Sequence, residues 1–348
     1  MRKWGLPDQR IVINKKTVAI AIATVVCVSL LSGAVTYFVA NNYYEGLLAE
    51  AHPIFVPSTP YKLLHPILGF AFPGDQFDNG FPDVRGGVQS IISGEPAGTV
   101  TGYAFYMREL NSGDWTGINQ NTPFDPASLL KVVVAIAAYR QAEDNPSYLS
   151  IPLTYTADLA QINAQLPFDL PSQLKVGQSY SVESLIKREL ANSDNGAVYT
   201  LLSSISDQEL NSVYQELSIP PPNEMDSVGY KLTTLEYSRF FRILYNGTLS
   251  LTWGDSEKIL EYLTQSDFVS GLVAGVPAGV SVAHKYGEHV IGSNGVATGV
   301  ELSDCGIVYY TPQPYFICVM IQGKDQVMLA SVIAQISKYT YQQIGGSK

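Results

Sequence analysis

The sequence predicts an α+β fold: an antiparallel sheet built from both ends of a globular region, packed with helices from its middle, and preceded by one N-terminal transmembrane helix. Three observations carry this. Residues 17–40 hold no charge. Strand-like patterns occur near 100–120 and again at 281–322. Helical periodicity fills the stretch between them. The composition agrees, since 348 residues with 46% hydrophobic and 15% charged can bury a full core and are too apolar for a disordered chain.

The first element is basic. Arg2, Lys3, Arg10, Lys15 and Lys16 stand against Asp8, so residues 1–16 carry +4. The whole chain carries −10, which leaves −14 on the rest. A body that acidic is a poor partner for phosphate backbones, so no nucleic acid partner is expected. Four histidines and three cysteines offer no zinc-ligand cluster, so no metal or other cofactor is expected.

Residues 17–40 come next. At about 1.5 Å per residue, 24 helical residues cross a hydrocarbon layer of about 30 Å with some tilt. Beyond this segment Glu45 and Glu50 come before the first cations, Lys62 and Arg85. The asymmetry places the N-terminus in the cytoplasm and the body outside, at the cell membrane. A cleaved signal peptide is the alternative, with Ser32-Gly33-Ala34 as a small-residue site, although its apolar core is normally only about 7–15 residues. A buried core helix would leave the flanking charges unexplained. Residues 41–60 mix Asn, Pro, Ser and Thr and read as a stalk, and 61–348 read as one domain.

Within that domain, 100–110 and 115–120 flank Asn111-Ser112-Gly113-Asp114 and predict a hairpin. Residues 129–142 form a strongly apolar helix, and 181–191, 207–217 and 234–246 form amphipathic ones. Strands follow at 281–289, 305–310 and 315–322, then a helix at 326–341. If the last hairpin turns at Thr311-Pro312, Cys305 and Cys318 lie opposite each other. Either a disulfide or two buried thiols fits that placement. Cys27 lies in the apolar N-terminal helix. His284 and His289 are too isolated to read as a metal pair.

The chemistry concentrates in three short motifs. In Asp125-Pro126-Ala127-Ser128-Leu129-Leu130-Lys131, Asp125 is a good N-cap and Pro126 a good first helical residue. Ser128 then falls in the first turn, among backbone N–H groups that lack intrahelical partners and can stabilise an oxyanion. Lys131, three residues on, shares its face. The helix around it is apolar on every side, so burial lowers the lysine's pKa and leaves an amine able to act as general base. Alone, the spacing also fits an ordinary helix start with a lysine reaching the surface. The same spacing at Ser172–Lys175 and Ser184–Lys187 reads as chance, with Lys187-Arg188-Glu189 as a solvated run. Ser193-Asp194-Asn195 alone is a polar turn. Lys285-Tyr286-Gly287 alone is a strand with an edge lysine.

Taken in order, Ser-x-x-Lys, Ser-Asp-Asn and Lys-x-Gly, separated by 65 and 92 residues, form the motif set of the penicillin-recognising serine enzymes. From about residue 85 to the end the chain resembles the class A β-lactamase family, within the β-lactamase and D,D-peptidase superfamily. The resemblance implies a β-lactamase/transpeptidase-like fold. It implies an acyl-enzyme on Ser128, with Lys131 in proton removal and Ser193 relaying a proton to the leaving nitrogen. Asn195 would bind the substrate amide and hold Lys131. Lys285 would attract a substrate carboxylate, and Tyr286 and Gly287 would line the same strand. The N–H groups of Ser128 and Glu288 would form the oxyanion hole. The implied substrates are β-lactams or peptidoglycan stem peptides. Hydrolysis of β-lactams is the first expectation; a D,D-carboxypeptidase or a non-catalytic muropeptide sensor are the alternatives.

Two departures stand out. Tyr286 occupies a position that normally carries Thr or Ser, whose hydroxyl binds the substrate carboxylate. The loop that normally supplies a deacylating glutamate is short here, 218–232, with Glu224 and Asp226 as the acidic residues on offer. Glu209, in the preceding helix, reads as part of a solvated face.

Overall fold

The protein is described by a computed structural model for residues 15–49, 61–64, 81–163, 172–222, 229–248, 251–293 and 296–346. It divides into two units, 1–52 and 53–348.

Among the described residues the first unit is the helix α1 (Lys15–Ala49). Residues Ile22–Val39 within it are apolar and exposed, and the helix is long enough to cross a membrane. It runs on through 41–49, the first part of the segment read as a stalk.

The second unit is built on a five-stranded antiparallel sheet. In chain order its strands are β1 (Val100–Glu109), β2 (Trp115–Ile118), β5 (Val282–Ser293), β6 (Val296–Val308) and β7 (Tyr315–Gly323). In space they run β2-β1-β7-β6-β5. The two ends of the domain therefore meet at the β1–β7 pair, where Tyr106 lies opposite Cys318. The short strands β3 (Pro152–Thr154) and β4 (Ser179–Ser181) pair separately.

Period-2 alternation sorts the core. Phe105, Met107, Ile317, Val319 and Ile321 point to one face, where they pack with helix α2 (Pro82–Gly94) and the C-terminal helix α10 (Gln326–Gly346). Ala104, Tyr106, Phe316, Cys318 and Met320 point to the other face, toward the helical middle of the chain. Because both faces are covered, β1 and β7 read as almost unbroken apolar runs.

Helix α3 (Lys131–Asp144) runs through the centre of the helical region, buried almost all round as its sequence predicts. Helices α4 (Ala157–Asn163), α5 (Val182–Ala191), α6 (Asn195–Leu202), α7 (Asp207–Glu216), α8 (Thr234–Asn246) and α9 (Trp253–Leu263) complete it. Their starts follow capping chemistry. Ser181, Asp194, Ser206, Thr233 and Thr252 each accept a backbone N–H of the first turn, and Thr233 with Glu236 closes a full capping box. Helix α8 seats Phe241 against Phe316 of β7, ring centroids 5.4 Å apart. Residues 61–64 are held by the Glu257 carboxylate of α9, which accepts the N–H groups of Lys62, Leu63 and Leu64 at 2.9, 2.9 and 3.1 Å.

Cys305 and Cys318 form a direct pair across β6 and β7, and the structure joins them in a disulfide. Of the two readings the sequence left open, the bonded one holds. The sequence missed α2, α4, α6, α9, β3 and β4; it ended β5 at 289 rather than 293 and began β6 at 305 rather than 296.

Candidate active site

The Ser128 segment is held from several sides. Phe124 exchanges both backbone hydrogen bonds with Leu232, at 2.9 and 3.0 Å. The Asp125 N–H donates to Glu301 Oε2 at 2.9 Å, and Asp125 Oδ1 accepts the Ala127 N–H at 2.9 Å. The Tyr237 hydroxyl donates to the Leu129 carbonyl at 3.0 Å. Asp125 is not the N-cap that the sequence predicts: its side chain holds the N–H two residues on, Pro126 takes the cap position without a side-chain hydrogen bond, and the α-helix does not begin at Pro126. A 3-10 turn over Ala127–Leu130 comes first, and α3 starts at Lys131. Ala127 sits at φ 44°, a left-handed conformation that costs a side-chain-bearing residue about 1 kcal/mol or more. The strained turn presents Ser128 half-buried at the head of a buried helix. Strand β5 lies directly against it: a Cβ on Gly287 would come within 2.6 Å of the Pro126 carbonyl, so only glycine fits.

Lys131 is 4% exposed, and its Nζ donates to three acceptors: the Ser193 carbonyl at 2.5 Å, Ser193 Oγ at 3.1 Å and Asn195 Oδ1 at 2.6 Å. Those acceptors converge because Ser193 adopts φ 54° and Asp194 caps α6, so that Asn195 is the first helical residue. Lys285 reaches the same hydroxyl from the sheet. Its Nζ donates to Ser193 Oγ at 2.9 Å and to the Tyr286 carbonyl at 3.1 Å. It shares a strand face with Ala283, toward the helical region, and is fully buried although β5 is an edge strand.

Four of the five polar side chains predicted to converge, Lys131, Ser193, Asn195 and Lys285, are therefore one hydrogen-bonded cluster. The fifth, Ser128, lies one helical turn before Lys131. Burial lowers Lys131 to about 8, against the opposing pull of Glu189 and Asp194. Burial, followed by the charge of Lys131, puts Lys285 well below its usual value, against Asp267, Asp304 and Glu189.

Tyr286 is 9% exposed, and its ring lies 4.4 Å from the Lys285 Nζ. Phe268 stacks on the same ring, with centroids 4.3 Å apart and planes 20° apart. The Phe268 loop is fixed by the Asp267 N–H donating to the Ala191 carbonyl at 2.9 Å, just before the Ser193 turn. The Glu288 carboxylate accepts from Gln326 Nε2 at 2.5 Å, and burial raises its pKa.

One buried residue whose charge would act on the cluster's lysines contradicts the sequence reading. Glu189 does not belong to a solvated run; it is 0% exposed, and neither carboxylate oxygen has a hydrogen-bond partner. Burial raises its pKa well above normal, opposed by Lys131 and Lys285. The signal was helical phase: Val182, Leu185, Ile186 and Glu189 fall on one stripe of α5. The neighbouring Lys187 is exposed, which is why the charge run misled. Phe268 was also missed, and no local sequence pattern marks it. Glu209 is half-buried and paired with Arg140 at 2.9 Å, away from the cluster. Glu224 and Asp226 lie outside the described residues. Among the described residues no group of three or more metal ligands occurs; His284 is spent on Asp304 at 2.7 Å.

Comparison with known proteins gives the family and the fold. A family model described as the β-lactamase enzyme family matches residues 88–344. The chain belongs to the β-lactamase enzyme family. No curated protein matches it. Among solved structures, PBP-A aligns with a TM-score of 0.64 and 20% identity over 77% of this chain and 98% of its own. A mutant of PBP-A, solved as an acyl-enzyme complex with penicillin G, aligns at 0.64 and 21%, with the same coverage. A representative of class A β-lactamase from Bacteroides cellulosilyticus aligns at 0.64 and 17%, over 76% and 98%. At these identities the likeness shows the β-lactamase fold, and the family is that of β-lactamase-type serine hydrolases.

Proposed function

We propose that this protein is a membrane-anchored, extracytoplasmic serine hydrolase that forms an acyl-enzyme on Ser128. The observation that carries the proposal is the buried hydrogen-bonded cluster of Lys131, Ser193, Asn195 and Lys285 beside the Ser128 turn. Lys131, neutral in part near pH 8, takes the Ser128 hydroxyl proton as Oγ attacks an acyl carbon. The N–H groups of Ser128 and Glu288 receive the developing oxyanion; β5 is an edge strand and brings its free side against the turn. The carbon–nitrogen bond then breaks. Ser193 passes its hydroxyl proton to the leaving nitrogen and is reprotonated through Lys131 or Lys285, both of which contact its oxygen. Asn195 holds Lys131 and is placed to meet a substrate amide. Water later cleaves the ester and restores Ser128.

The substrate class is a β-lactam or a D-alanyl peptide. A D,D-carboxypeptidase reading stands beside the β-lactamase one because Tyr286 occupies the position that normally carries Thr or Ser, and the short 218–232 stretch lacks the usual deacylating glutamate motif. In cellular terms, α1 is the anchor, residues 1–16 stay cytoplasmic, and the domain from 61 onward works outside, at the cell wall. The Cys305–Cys318 disulfide fits an oxidising compartment.

The test is incubation with a fluorescent penicillin and with an acyl-D-alanyl thioester, followed by peptide mapping against a Ser128→Ala control. Label on Ser128 is expected. No label, together with no hydrolysis of any β-lactam or D-alanyl peptide, would sink the proposal. Free D-alanine from a muropeptide, with poor β-lactam turnover, would select the peptidase.

A further inference from the structure

His289 stands beside the Ser128 turn and takes no part in forming the ester. Side chains alternate along a strand, so Lys285, Gly287 and His289 share one face of β5. Lys285 meets Ser193 Oγ at 2.9 Å. Gly287 lies against the backbone on either side of Ser128: a Cβ there would come within 2.6 Å of the Pro126 carbonyl and 3.3 Å of the Leu129 nitrogen. His289 follows about 7 Å further along the same face. It stands on the side of the turn away from Ser193, where its Nδ1 lies 3.5 Å from Asp125 Oδ2.

That pair has the parts of an oriented base. Asp125 is fixed, because its Oδ1 accepts the Ala127 N–H and its own N–H donates to Glu301. A carboxylate in front of Nδ1 keeps a proton on that nitrogen and leaves Nε2 with its lone pair. The ring is 45% exposed, so water reaches it. The other charges around it are Glu301, directly opposite on β6, and Lys231, from the segment before α8. Glu301 is engaged by the Asp125 N–H and faces Lys231 at 3.6 Å. Glu288 turns to the strand's other face, toward Gln326 of α10. Lys131 and Lys285 both converge on Ser193, on the far side of the turn.

Resting on the Ser128 acyl-enzyme reading, we infer that His289, oriented by Asp125, is the general base that activates water to cleave the Ser128 ester. Nε2 takes a proton from water as the water oxygen attacks the ester carbonyl carbon. The bond from that carbon to Ser128 Oγ then breaks, Oγ takes the proton back from the imidazolium, and the acyl group leaves as its carboxylic acid. Strand β5 thus supplies a base where the 218–232 stretch lacks the usual glutamate motif.

The full-length protein is loaded with a fluorescent penicillin, the excess is removed, and the ester on Ser128 is followed by mass spectrometry. His289→Gln should be acylated at the wild-type rate and lose the ester about 100-fold more slowly. Asp125→Asn keeps an acceptor for the Ala127 N–H and removes the charge behind the imidazole. It too should be acylated normally and lose the ester more slowly, by a smaller factor, and it serves if the glutamine variant does not fold. Ester loss at the wild-type rate in the folded variants overturns the inference and leaves the Ser128 reading standing. Failure of His289→Gln to be acylated overturns it as well, because His289 would then act before the ester exists. No ester on wild-type Ser128 overturns both.

Discussion

Lys131 sits in the least polar stretch of the helical region, and its protonation governs the proposed chemistry at Ser128. With the ammonium held at about 8, the acylation rate should climb with pH and level off above that value. Glu189 opposes that lowering only where it is ionised, and burial holds its proton on well above the ordinary carboxylate range, against Lys131 of α3 and Lys285 of β5. Glu189→Gln, which resembles the protonated form, is therefore expected to leave the acid limb of the acylation profile where it is. A limb moved to lower pH in a folded variant would mean that Glu189 is ionised beside Lys131. Glu189 also has a stability signature. Its folded-state pKa is raised, so the native state keeps a proton that the unfolded chain releases, and stability falls as pH rises above about 4.5. Glu189→Leu should raise the melting temperature more at pH 7 than at pH 4, as thermal scans at the two pH values would show. At this scale the sequence revealed Lys131, because an apolar helix all round it leaves a lysine nowhere to go. It hid Glu189, because the exposed Lys187 two residues before it makes the run look solvated, and only the phase of α5 separates the two.

The elements that hold the cluster are secured by caps and by one cross-strand bond. Helix α8 begins at a capping box, and its Tyr237 hydroxyl holds the Leu129 carbonyl, so the start of α8 and the Ser128 turn are linked through one helix. Thr233→Ala should cost about 1 kcal/mol by denaturant titration, the usual worth of an N-cap. Because Thr233 follows Leu232, which pairs with Phe124, its loss should also slow acylation modestly. Helix α8 was legible residue for residue, since its cap, its Glu three residues later and its apolar stripe all point the same way. Helix α6 was not. Its cap is the Asp of Ser193-Asp194-Asn195, and a polar triplet that starts a helix looks the same in sequence as one that ends a turn. Strands β5 and β6 outran their predicted ends because their distal halves are only half-covered or exposed, and lack the apolar alternation on which the prediction rested.

On the scale of the whole molecule, charge and sulfur chemistry meet in one argument about which side of a membrane the domain occupies. The five cations of residues 1–16, with none between 41 and 61, favour a cytoplasmic N-terminus for the proposed anchor, and α1 supplies an apolar stretch of sufficient length. Cys305 and Cys318, paired across β6 and β7, report independently, because such a bond persists outside the cytoplasm and is kept reduced within it. Cys27, the remaining cysteine, is a free thiol on α1. Full-length protein denatured in an alkylating reagent straight from intact cells should therefore take one label, at Cys27. After reduction it should take three, at Cys27, Cys305 and Cys318. Three labels without reductant would place the domain in a reducing compartment and reverse the proposed orientation, whatever the charges say. The same bond closes a short loop, and its loss in Cys305→Ser with Cys318→Ser should cost about 2–4 kcal/mol of unfolding free energy. Because β6 lies beside β5, which carries Lys285, the double variant should also loosen the cluster, so acylation should weaken along with stability.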